Sequence, residues 1–243
     1  MSHDSCLAEN LSHYMRLQEE DRAHLARFEE EERRIPRQTD VRRIGDANEY
    51  LFAVKKGWLY SYLDFADGRR QIVKIHTPGD LIGFPELAYE RVSLSLRSCN
   101  EATLCPFPKQ HIDDVLRASP RLSAMLLTIA TRDQVILIDK LRATGRMSAR
   151  ERIAYLLLDL LSRLRVLKGP DFRRMHFPLS QTEIGDTVGL TNVYVSKTLS
   201  RLADEGLIRR HAGGEIEILN EEELRRIAEF TDRYATLDTA WFS

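Results

Sequence analysis

Residues 181–202 read QTEIGDTVGLTNVYVSKTLSRL, and two glycines, Gly185 and Gly189, interrupt an apolar pattern that is otherwise helical. Glycine destabilises a helix interior by about 0.5–1 kcal/mol relative to alanine, so one continuous helix is unfavourable here. Gly189 can adopt the left-handed conformation that ends many helices, and Gly185 is interpreted as the point where a crossing helix comes close. The stretch therefore predicts two short helices that meet at a tight turn.

Capping residues define the ends of both predicted helices. Ser180 precedes the first helix, and Glu183 lies three residues after Ser180, which is the spacing of a capping box. Thr191 is placed to cap the second helix, and Gly206 is placed to end it. The buried face of the pair is predicted to consist of Ile184, Val188, Val195, Leu199 and Leu202. Two short helices joined by a glycine-containing turn are typical of the helix-turn-helix, whose second helix enters the major groove of DNA.

The exposed side of the second helix carries side chains suited to DNA. Lys197 can donate to guanine O6 and N7, and Asn192 or Ser196 can read a base edge. Val193 offers an apolar surface for a thymine methyl group, and Arg201 completes the exposed candidates. Phosphate oxygens are expected to be contacted by Gln181, Thr182, Thr191 and Tyr194. For any single residue of this set, the alternative interpretation is a solvated helix surface.

A β-hairpin is predicted directly after the second helix. Residues 207–210 and 215–219 have strand character, and residues 212–214 supply a turn. A hairpin in this place is the wing of a winged helix, and Arg209 and Arg210 bring positive charge to where a phosphate backbone would run. Because the whole chain has a formal net charge of −1, this local cluster rather than the total charge indicates DNA binding.

The region upstream of residue 119 predicts a helical segment followed by a small β-roll. Residues 1–35 are charged and mostly helical in pattern, whereas residues 36–110 contain short β-rich segments separated by turn signals such as Asp67-Gly68. Several short strands at close spacing indicate a small barrel or jelly roll. No apolar run reaches the about 18 residues of a membrane span, and the N-terminus is polar, so we expect a cytoplasmic protein without a membrane partner.

A long helix is predicted between the roll and the DNA-binding segment. Residues 121–144 contain neither proline nor glycine, which corresponds to about 36 Å of helix. The helix is apolar on two faces, so one face is expected to lie on the roll and the other on a second copy of the helix. The expected dimer contacts are Leu122, Leu126, Ile129, Ile136 and Leu141. The alternative is a core helix of a monomer.

Two acidic residues lie within the apolar stretch of this helix, Asp133 and Asp139. If either side chain faced its twin in a dimer, the like charges would oppose association and make it adjustable. The alternative is that both carboxylates point to solvent.

The order of these elements resembles that of the CRP/FNR family of bacterial transcription regulators. The resemblance covers about residues 20–220 and rests on HTPGDLIGF (76–84), ERIAYLLLDL (151–160) and LSQTEIGDTVGLTNVYVSKTLSRLADEGLI (179–208). It implies a homodimer, joined through the long helix, that binds a palindromic site on double-stranded DNA. Many members activate transcription by contacting RNA polymerase, so the resemblance also implies an activator with that partner.

The predicted fold class is α+β, with an N-terminal β-roll like a cyclic-nucleotide-binding jelly roll, a long dimerisation helix and a C-terminal winged helix-turn-helix. The predicted domains are residues 1–118 for the helical segment and the sensor roll, 119–146 for the dimerisation helix, 147–225 for the DNA-binding domain and 226–243 for a C-terminal extension.

The sequence departs from the pattern of the family members that bind cyclic nucleotides. Those members carry Gly-Glu-Leu followed by Arg-Ser or Arg-Thr, whereas this chain has Gly83-Phe84-Pro85 followed by Val92-Ser93. Glu86 and Arg91 are close to these positions but out of register. We therefore expect a regulator that is not gated by cyclic AMP, with a cyclic-nucleotide-binding regulatory module as an alternative.

The cysteines bear on a second kind of sensor. The chain has three of them, and Cys105 falls where the oxygen-sensing FNR branch has a cysteine in its roll, but the N-terminal cysteine cluster is reduced to Cys6. A four-thiolate iron–sulfur cluster therefore cannot form in one chain. We expect no cofactor and no metal, with a redox- or gas-responsive regulator as the alternative. The ligands of that alternative would include His3 or Asp4 for a cluster, and His76 and His111 for haem.

No sequence signature of an enzyme is present, since GxGxxG, P-loop, HExxH and GxSxG patterns are all missing from the chain. We therefore expect no catalytic residue and no enzymatic activity.

The recognition helix also departs from the best-known members of the family. Those members place Glu or Arg-Glu at the positions of Asn192 and Val193, and Arg at that of Lys197. Loss of the Glu removes an acceptor for cytosine N4. The expected half-site therefore differs from both the cyclic-AMP-receptor consensus and the FNR consensus.

Overall fold

A computed structural model describes residues 5–242, and the chain forms two compact units. The first unit comprises the chain up to Phe65, Ile72–Arg132 and the segment from Asp238, and the second comprises Ala66–Gln71 and Asp133–Leu237. The two candidate cluster ligands His3 and Asp4 lie outside the described residues. Within residues 5–242, no helix combines the length and the apolar character needed to cross a membrane.

The first unit is a β-roll built from two antiparallel four-stranded sheets, as the turn signals predicted. One sheet has the strand order β1-β8-β3-β6 and the other the order β2-β7-β4-β5. The strands are β1 Arg33–Ile35, β2 Asp40–Arg42, β3 Tyr50–Lys56, β4 Leu59–Asp64, β5 Arg70–His76, β6 Leu81–Ile82, β7 Ser95–Ser98 and β8 Ala102–Pro108. Both sheets contribute to one buried apolar cluster, for example through Val54 and Leu104 of the first and Leu96 of the second. The core therefore lies between the sheets, as in a sandwich.

Helices cover the roll on a second apolar surface. They are α1 Cys6–Ser12, α2 Glu19–Ala26, α3 Gln110–Ala118 and the first part of α4 Pro120–Arg146. Leu11, Leu25 and Ile112 from these helices pack with Leu51 and Phe107 of the sheet in one buried cluster. Helices and strands of this unit thus share a second buried cluster, beside the one between the two sheets.

Most of the α4 face that the sequence assigned to a dimer lies inside the protomer. Leu122 and Leu126 are 0% and 3% exposed and belong to the helix-covered cluster of the roll, and Ile129 packs against that cluster. Ile136 is also buried, at 5% exposed. The prediction of dimer contacts is therefore wrong for Leu122, Leu126 and Ile136, because each protomer already covers these side chains itself. Leu141, at 73% exposed, is the one member of that set left well exposed on the helix.

The acidic residue Asp139 of α4 has a partner within its own protomer. Its carboxylate accepts hydrogen bonds from Nε and Nη2 of Arg233, at 2.8 and 3.3 Å. The side chain is 9% exposed. It therefore neither faces a twin nor points to solvent, and the hypothesis that Asp139 opposes dimerisation is wrong.

The second unit is helical with one small sheet. Its elements after α4 are α5 Ala149–Lys168, β9 Arg174–His176, α6 Gln181–Val188, α7 Asn192–Asp204, β10 Ile208–His211, β11 Glu215–Ile218 and α8 Glu221–Ala228. The sheet has the order β10-β11-β9, so the segment before α6 supplies a third strand. Helix α8 continues across the predicted domain boundary between residues 225 and 226, so a division there would cut a helix.

A bidentate ion pair joins α5 to α8. Nη1 and Nη2 of Arg165 donate to the two carboxylate oxygens of Glu221 at 2.9 and 2.8 Å, and Nε of Arg225 donates to the same carboxylate at 2.9 Å. The hydrogen bonds from Arg165 lower the pKa of Glu221 from 4.5 to about 2. The folded chain therefore favours the ionised form of this carboxyl group.

This shift predicts a pH dependence of stability. A carboxyl group with a lowered pKa stabilises the fold above its unfolded value, here about 4.5, and loses that contribution as pH falls towards about 2. Glu221 is 21% exposed, so solvent screens the pair. We expect Glu221→Gln to lower the free energy of unfolding at pH 7 by about 1–2 kcal/mol. Urea unfolding of both chains should show this difference shrinking between pH 4.5 and pH 3.

The control for this prediction is Glu222→Gln, since Glu222 is exposed on the same helix. It should change stability by less than about 0.5 kcal/mol at either pH. A Glu221→Gln difference that stays constant from pH 7 to pH 3 would show that the ion pair is not its source.

Candidate nucleic-acid interface

Helices α6 and α7 form the helix-turn-helix, with the predicted caps in place. The Ser180 backbone N–H donates to the Glu183 carboxylate at 2.7 Å, and the Glu183 N–H donates to the Ser180 hydroxyl at 3.2 Å. The Thr191 hydroxyl accepts from the Tyr194 N–H at 3.4 Å and begins α7. Gly189 ends α6 in the left-handed conformation, at φ 69° and ψ 43°. The predicted inward side chains Ile184, Val188, Val195, Leu199 and Leu202 are all buried.

Gly185 is required by the turn rather than by a crossing helix. A Cβ atom at this position would lie 2.4 Å from the carbonyl oxygen of Leu190. The Leu190 N–H in turn donates to the Gly185 carbonyl oxygen at 3.0 Å, which holds the turn against α6. The close approach expected at Gly185 exists, but the group that comes close is the backbone of residue 190.

We expect Gly185→Ala to destabilise the second unit by about 2–3 kcal/mol, because the added methyl group forces the turn away from α6. Urea unfolding followed by circular dichroism measures this loss. The control is Ser200→Ala on the exposed side of α7, which should stay within about 0.5 kcal/mol of the unmodified chain. Equal stability of Gly185→Ala and the unmodified chain would contradict the close approach.

The outward face of α7 presents the predicted DNA-contacting side chains. Val193 and Tyr194 are 56% and 60% exposed. Asn192 and Lys197 are exposed beside them, and Ser196 is half-buried. In the preceding helix and turn, Gln181, Thr182 and Thr191 are exposed as well, although the Thr191 hydroxyl is engaged in the cap. Of these predicted residues on α6, the turn and α7, all but the half-buried Ser196 are therefore exposed, and their contact with DNA stays a prediction.

The cations of this surface differ in whether they have acidic partners. Arg201 donates to Glu205 at 2.9 Å, and Glu205 also pairs with Arg150. The Arg201 guanidinium holds the pKa of Glu205 below its usual range. No ion pair to Lys197 is found among residues 5–242. Lys197 is therefore the cation of α7 that can bind DNA without first breaking an ion pair.

The wing is partly neutralised by its own strands. Arg209 lies directly opposite Glu217 in the β10–β11 register, and its Nη1 is 3.3 Å from the Glu217 carboxylate. His211 Nε2 is 2.8 Å from the same carboxylate, and this hydrogen bond holds the pKa of Glu217 below its usual range. Arg210 is exposed. Among the described residues, an ion pair is found for Arg209 but not for Arg210.

The acidic partners Glu205 and Glu217 were not singled out in the sequence, although both carry a recognisable signal. Glu205 follows Arg201 by four residues on one helix, which places the two side chains together. Glu217 occupies the cross-strand position opposite Arg209 once the hairpin register is known. Exposed pairs of this kind contribute about 0–1 kcal/mol, so DNA phosphate can replace the carboxylates at low cost.

We expect Glu217→Gln to strengthen binding to any DNA duplex about 3–10-fold at 0.1 M salt, because Arg209 and His211 become available to phosphate. The slope of log affinity against log salt concentration should steepen by about 1. Fluorescence anisotropy with labelled duplexes measures both quantities. The control Glu222→Gln makes the same change in net charge outside the wing, and an equal gain in that variant would show a general charge effect instead.

The cysteine positions do not fit a four-thiolate cluster. Cys105 and Cys99 are each 0% exposed, and burial raises the pKa of the Cys105 thiol to about 12. Cys6 is half-buried at the start of α1, and burial also raises the pKa of its thiol. Metals bind the thiolate form, which these surroundings disfavour. Within residues 5–242, no group of three or more His, Cys, Asp and Glu side chains is placed to hold a metal ion.

The two histidines considered as haem ligands are both engaged in the first unit. His76 ends β5, and its Nε2 is 2.8 Å from the Ser61 hydroxyl. The His111 ring is parallel to the rings of Phe107 and Phe28, with centroids 6.4 and 6.2 Å away. The expectation of no cofactor stays a prediction.

The segment that departs from the cyclic-nucleotide pattern begins at a glycine. Gly83 is left-handed, at φ 102°, and leads into a 3-10 turn at Phe84–Glu86. Phe84 packs against the helix-covered core of the roll. Arg91 is exposed, and its Nη1 donates to the Gly45 carbonyl oxygen at 2.9 Å.

Two protein-family models match this chain. A Crp-like helix-turn-helix domain matches residues 151–227, and a cyclic nucleotide-binding domain matches residues 32–119. The first match contains the whole α6–α7 pair and the wing. The second contains the strands of the roll from β1 to β8 and helix α3.

Curated relatives and a solved structure resemble the chain over most of its length. It is 33% identical to the nitrogen fixation regulation protein FixK of Rhizobium meliloti, over 75% of this chain and 80% of that protein. It is 29% identical to the transcriptional activator protein anr of Pseudomonas aeruginosa, over 76% of this chain and 75% of that protein. The structure of FixK2 from Bradyrhizobium japonicum superposes with a TM-score of 0.73 at 24% identity, covering 83% of this chain and 98% of that one.

Proposed function

This chain belongs to the CRP/FNR family of transcription regulators, a family that binds DNA through a helix-turn-helix, and from that premise we propose that it binds a palindromic DNA site as a homodimer. Helix α7 of each copy enters one major groove, with Lys197, Asn192 and Ser196 at base edges. The observation that carries this proposal is the exposed outward face of α7, in which Lys197 has no acidic partner within the described chain. No catalytic role is proposed.

The dimer contact proposed here is the exposed face of α4. Leu127, Ile138 and Leu141 are 57%, 64% and 73% exposed. Together with the exposed Thr131 and Gln134 they recur at alternating spacings of four and three residues, which is the seam of a coiled coil. This seam lies on the opposite side of α4 from the buried Leu122 and Ile136. It replaces the dimer face expected from sequence and retains only Leu141.

We further propose that the regulator activates transcription by contacting RNA polymerase. The relative from Pseudomonas aeruginosa is named a transcriptional activator protein. We propose that cyclic AMP does not gate this activity, since Arg91 bonds to the Gly45 carbonyl and no acidic residue stands at the position of Phe84. Access to bacterial DNA places this function in the cytoplasm.

The experiment that tests this function is selection of bound duplexes from a random library by the full chain. The expected outcome is an inverted repeat whose half-sites are about 10 base pairs apart, centre to centre. The half-site should differ from the consensus sequences of the cyclic AMP receptor and of FNR, because Asn192 and Val193 supply no carboxylate for cytosine N4. Recovery of a pool without a shared motif, or tight binding to either consensus, would contradict the respective part of the proposal.

A further inference from the structure

The roll contains a buried carboxylate that is held by donors on all of its accessible sides. Glu86 lies in the 3-10 turn after β6 and is 1% exposed. Its Oε1 accepts three hydrogen bonds, from the Ser93 N–H at 2.7 Å, the Ser93 hydroxyl at 2.8 Å and the Leu94 N–H at 2.9 Å. Its Oε2 is bound by Nη2 of Arg42. Two consecutive backbone N–H groups, a hydroxyl and a guanidinium thus converge on one anion.

These donors are the kind that proteins use to bind oxyanions. Successive backbone N–H groups form an anion-binding concavity, and a guanidinium binds carboxylate and phosphate with the same geometry. The four groups lie within residues 32–119, which match the cyclic nucleotide-binding domain model, so this roll is of a type named for a phosphate-containing ligand. We use the name cradle for Arg42, Ser93 and Leu94 around Glu86. In this chain the anion in the cradle is the carboxylate of Glu86, a side chain of the protein itself.

The cradle has more hydrogen-bonding capacity than Glu86 uses. Arg42 is 8% exposed, and its Nε and Nη1 have no partner among the described residues. Asn48 donates to the carbonyl oxygens of Glu86 and Tyr89 at 2.7 and 3.1 Å, yet its own Oδ1 is buried without a donor. Buried groups of this kind are rare and require an explanation. A site shaped for an anion with more oxygen atoms than a carboxylate would explain the unpartnered Nε and Nη1 of Arg42. The Asn48 Oδ1 is an acceptor, so an anion does not satisfy it.

A glycine packs against the guanidinium side of the cradle. Gly83 lies next to Arg42, and a Cβ atom there would be 3.6 Å from Arg42 Nη1 and 3.2 Å from Leu51 Cγ. On the other side, Ser93 is exposed, so the cradle borders solvent. A small anion can therefore reach the position of the Glu86 carboxylate when that carboxylate is removed.

We propose that Glu86 is a tethered anion that fills an oxyanion-binding site of the roll, so that the roll is held in its folded arrangement without a phosphate ligand. The site accepts a free small oxyanion, a carboxylate or a phosphate, only when Glu86 is absent. This goes beyond the proposed DNA-binding function, because it assigns a closed ligand site to the sensor roll. It also predicts that the unmodified chain binds no cyclic nucleotide at this place.

The test uses Glu86→Ala in the full chain, with acetate as a probe that replaces the missing part of the side chain. Removing the carboxylate leaves the buried Arg42 without its counter-ion, so we expect the melting temperature to fall by about 10 °C. Acetate should restore at least half of this loss in a saturable way. Acetamide has the same shape without the charge and should restore nothing, and inorganic phosphate shows whether the cradle also takes a larger anion.

Two controls separate anion binding from general salt effects. The unmodified chain should not respond to acetate, because Glu86 fills the site. The double variant Arg42→Met/Glu86→Ala lacks the guanidinium and should not be rescued by acetate. If Glu86→Ala does not fold in chloride buffer, the same comparison is made by refolding yield, where recovery in acetate but not in acetamide supports the proposal.

Two results would contradict the proposal that Glu86 fills an oxyanion site. Rescue by neither acetate nor phosphate would overturn the proposal, whether read as melting temperature or as refolding yield. Binding of cyclic AMP to the unmodified chain with a micromolar dissociation constant, abolished by Arg42→Met, would also overturn it, because the nucleotide would then occupy the site that Glu86 is proposed to fill. All of these measurements are made without DNA. A negative result therefore does not bear on the proposed DNA-binding function, and a loss of DNA binding does not bear on the anion site.

Discussion

An Ile138→Asp chain is expected to sediment as a monomer at concentrations where the unmodified chain is a dimer. Ile138 is 64% exposed in the protomer and belongs to the proposed coiled-coil seam of α4. A twofold interface repeats each substitution on both sides, so two carboxylates would be buried without partners and would repel each other. We expect the dissociation constant of the dimer to rise about a thousandfold.

The same variant should lose tight DNA binding, because a palindromic site gains affinity from two half-sites held by one dimer. The expected loss is about a hundredfold or more at the selected duplex. Leu116→Asp provides the matched control, since Leu116 is a 54% exposed leucine on α3, outside the seam. If the dimer survives Ile138→Asp, or if Leu116→Asp dissociates it equally, the exposed face of α4 is not the dimer contact.

A Lys197→Met chain is expected to lose specific DNA affinity by about 10–100-fold while keeping its dimer and its stability. The variant keeps the aliphatic length of lysine and removes the ammonium group. Lys197 is exposed on α7, and none of the described acidic residues pairs with it, so the loss reflects contact with DNA and not a broken ion pair. The preference at one base pair of the half-site should weaken at the same time, which competition between duplexes measures.

The control for this variant is Lys56→Met, an exposed lysine of the β-roll. It makes the same change in charge and side chain, and it should alter affinity less than twofold at any sequence. If Lys197→Met lowers affinity equally for specific and random duplexes, Lys197 contacts phosphate and not a base edge. If it lowers neither, α7 does not lie in the groove as proposed.

The local features of the helix-turn-helix could be predicted from sequence because short-range rules determine them. Ser180, Thr191 and Gly189 each meet a requirement set by the nearest few backbone groups, and all three are found in those roles. The strand β9 could not be found in this way. It pairs Met175 with Ile216, and a partner forty-one residues away gives a three-residue strand no local signal.

The faces of α4 show where periodicity alone is insufficient. A helix that is apolar on two sides shows which residues share a face, but it does not show which face meets the roll and which meets a partner. The more strongly apolar stripe, with Leu122 and Leu126, covers the roll. The weaker stripe, interrupted by Thr131 and Gln134, is the exposed one.

The features least visible in the sequence are the acidic residues that pair with basic or buried groups in the fold. Glu86 could be seen as a carboxylate near an expected ligand position, but its contact with Arg42, forty-four residues away, arises only in the folded roll. Glu217 neutralises part of the wing because the β10–β11 register places it opposite Arg209. A count of basic residues along the sequence therefore overstates the positive charge that the folded wing presents.

The measurement that tests the central claim most directly is the stoichiometry of the full chain on its selected duplex, by sedimentation equilibrium. The account predicts a complex of two chains on one inverted repeat, and a much weaker complex of one chain when one half-site is scrambled. A single chain bound to the intact repeat, or equal binding to the scrambled duplex, would contradict the claim that this protein reads DNA as a symmetric dimer.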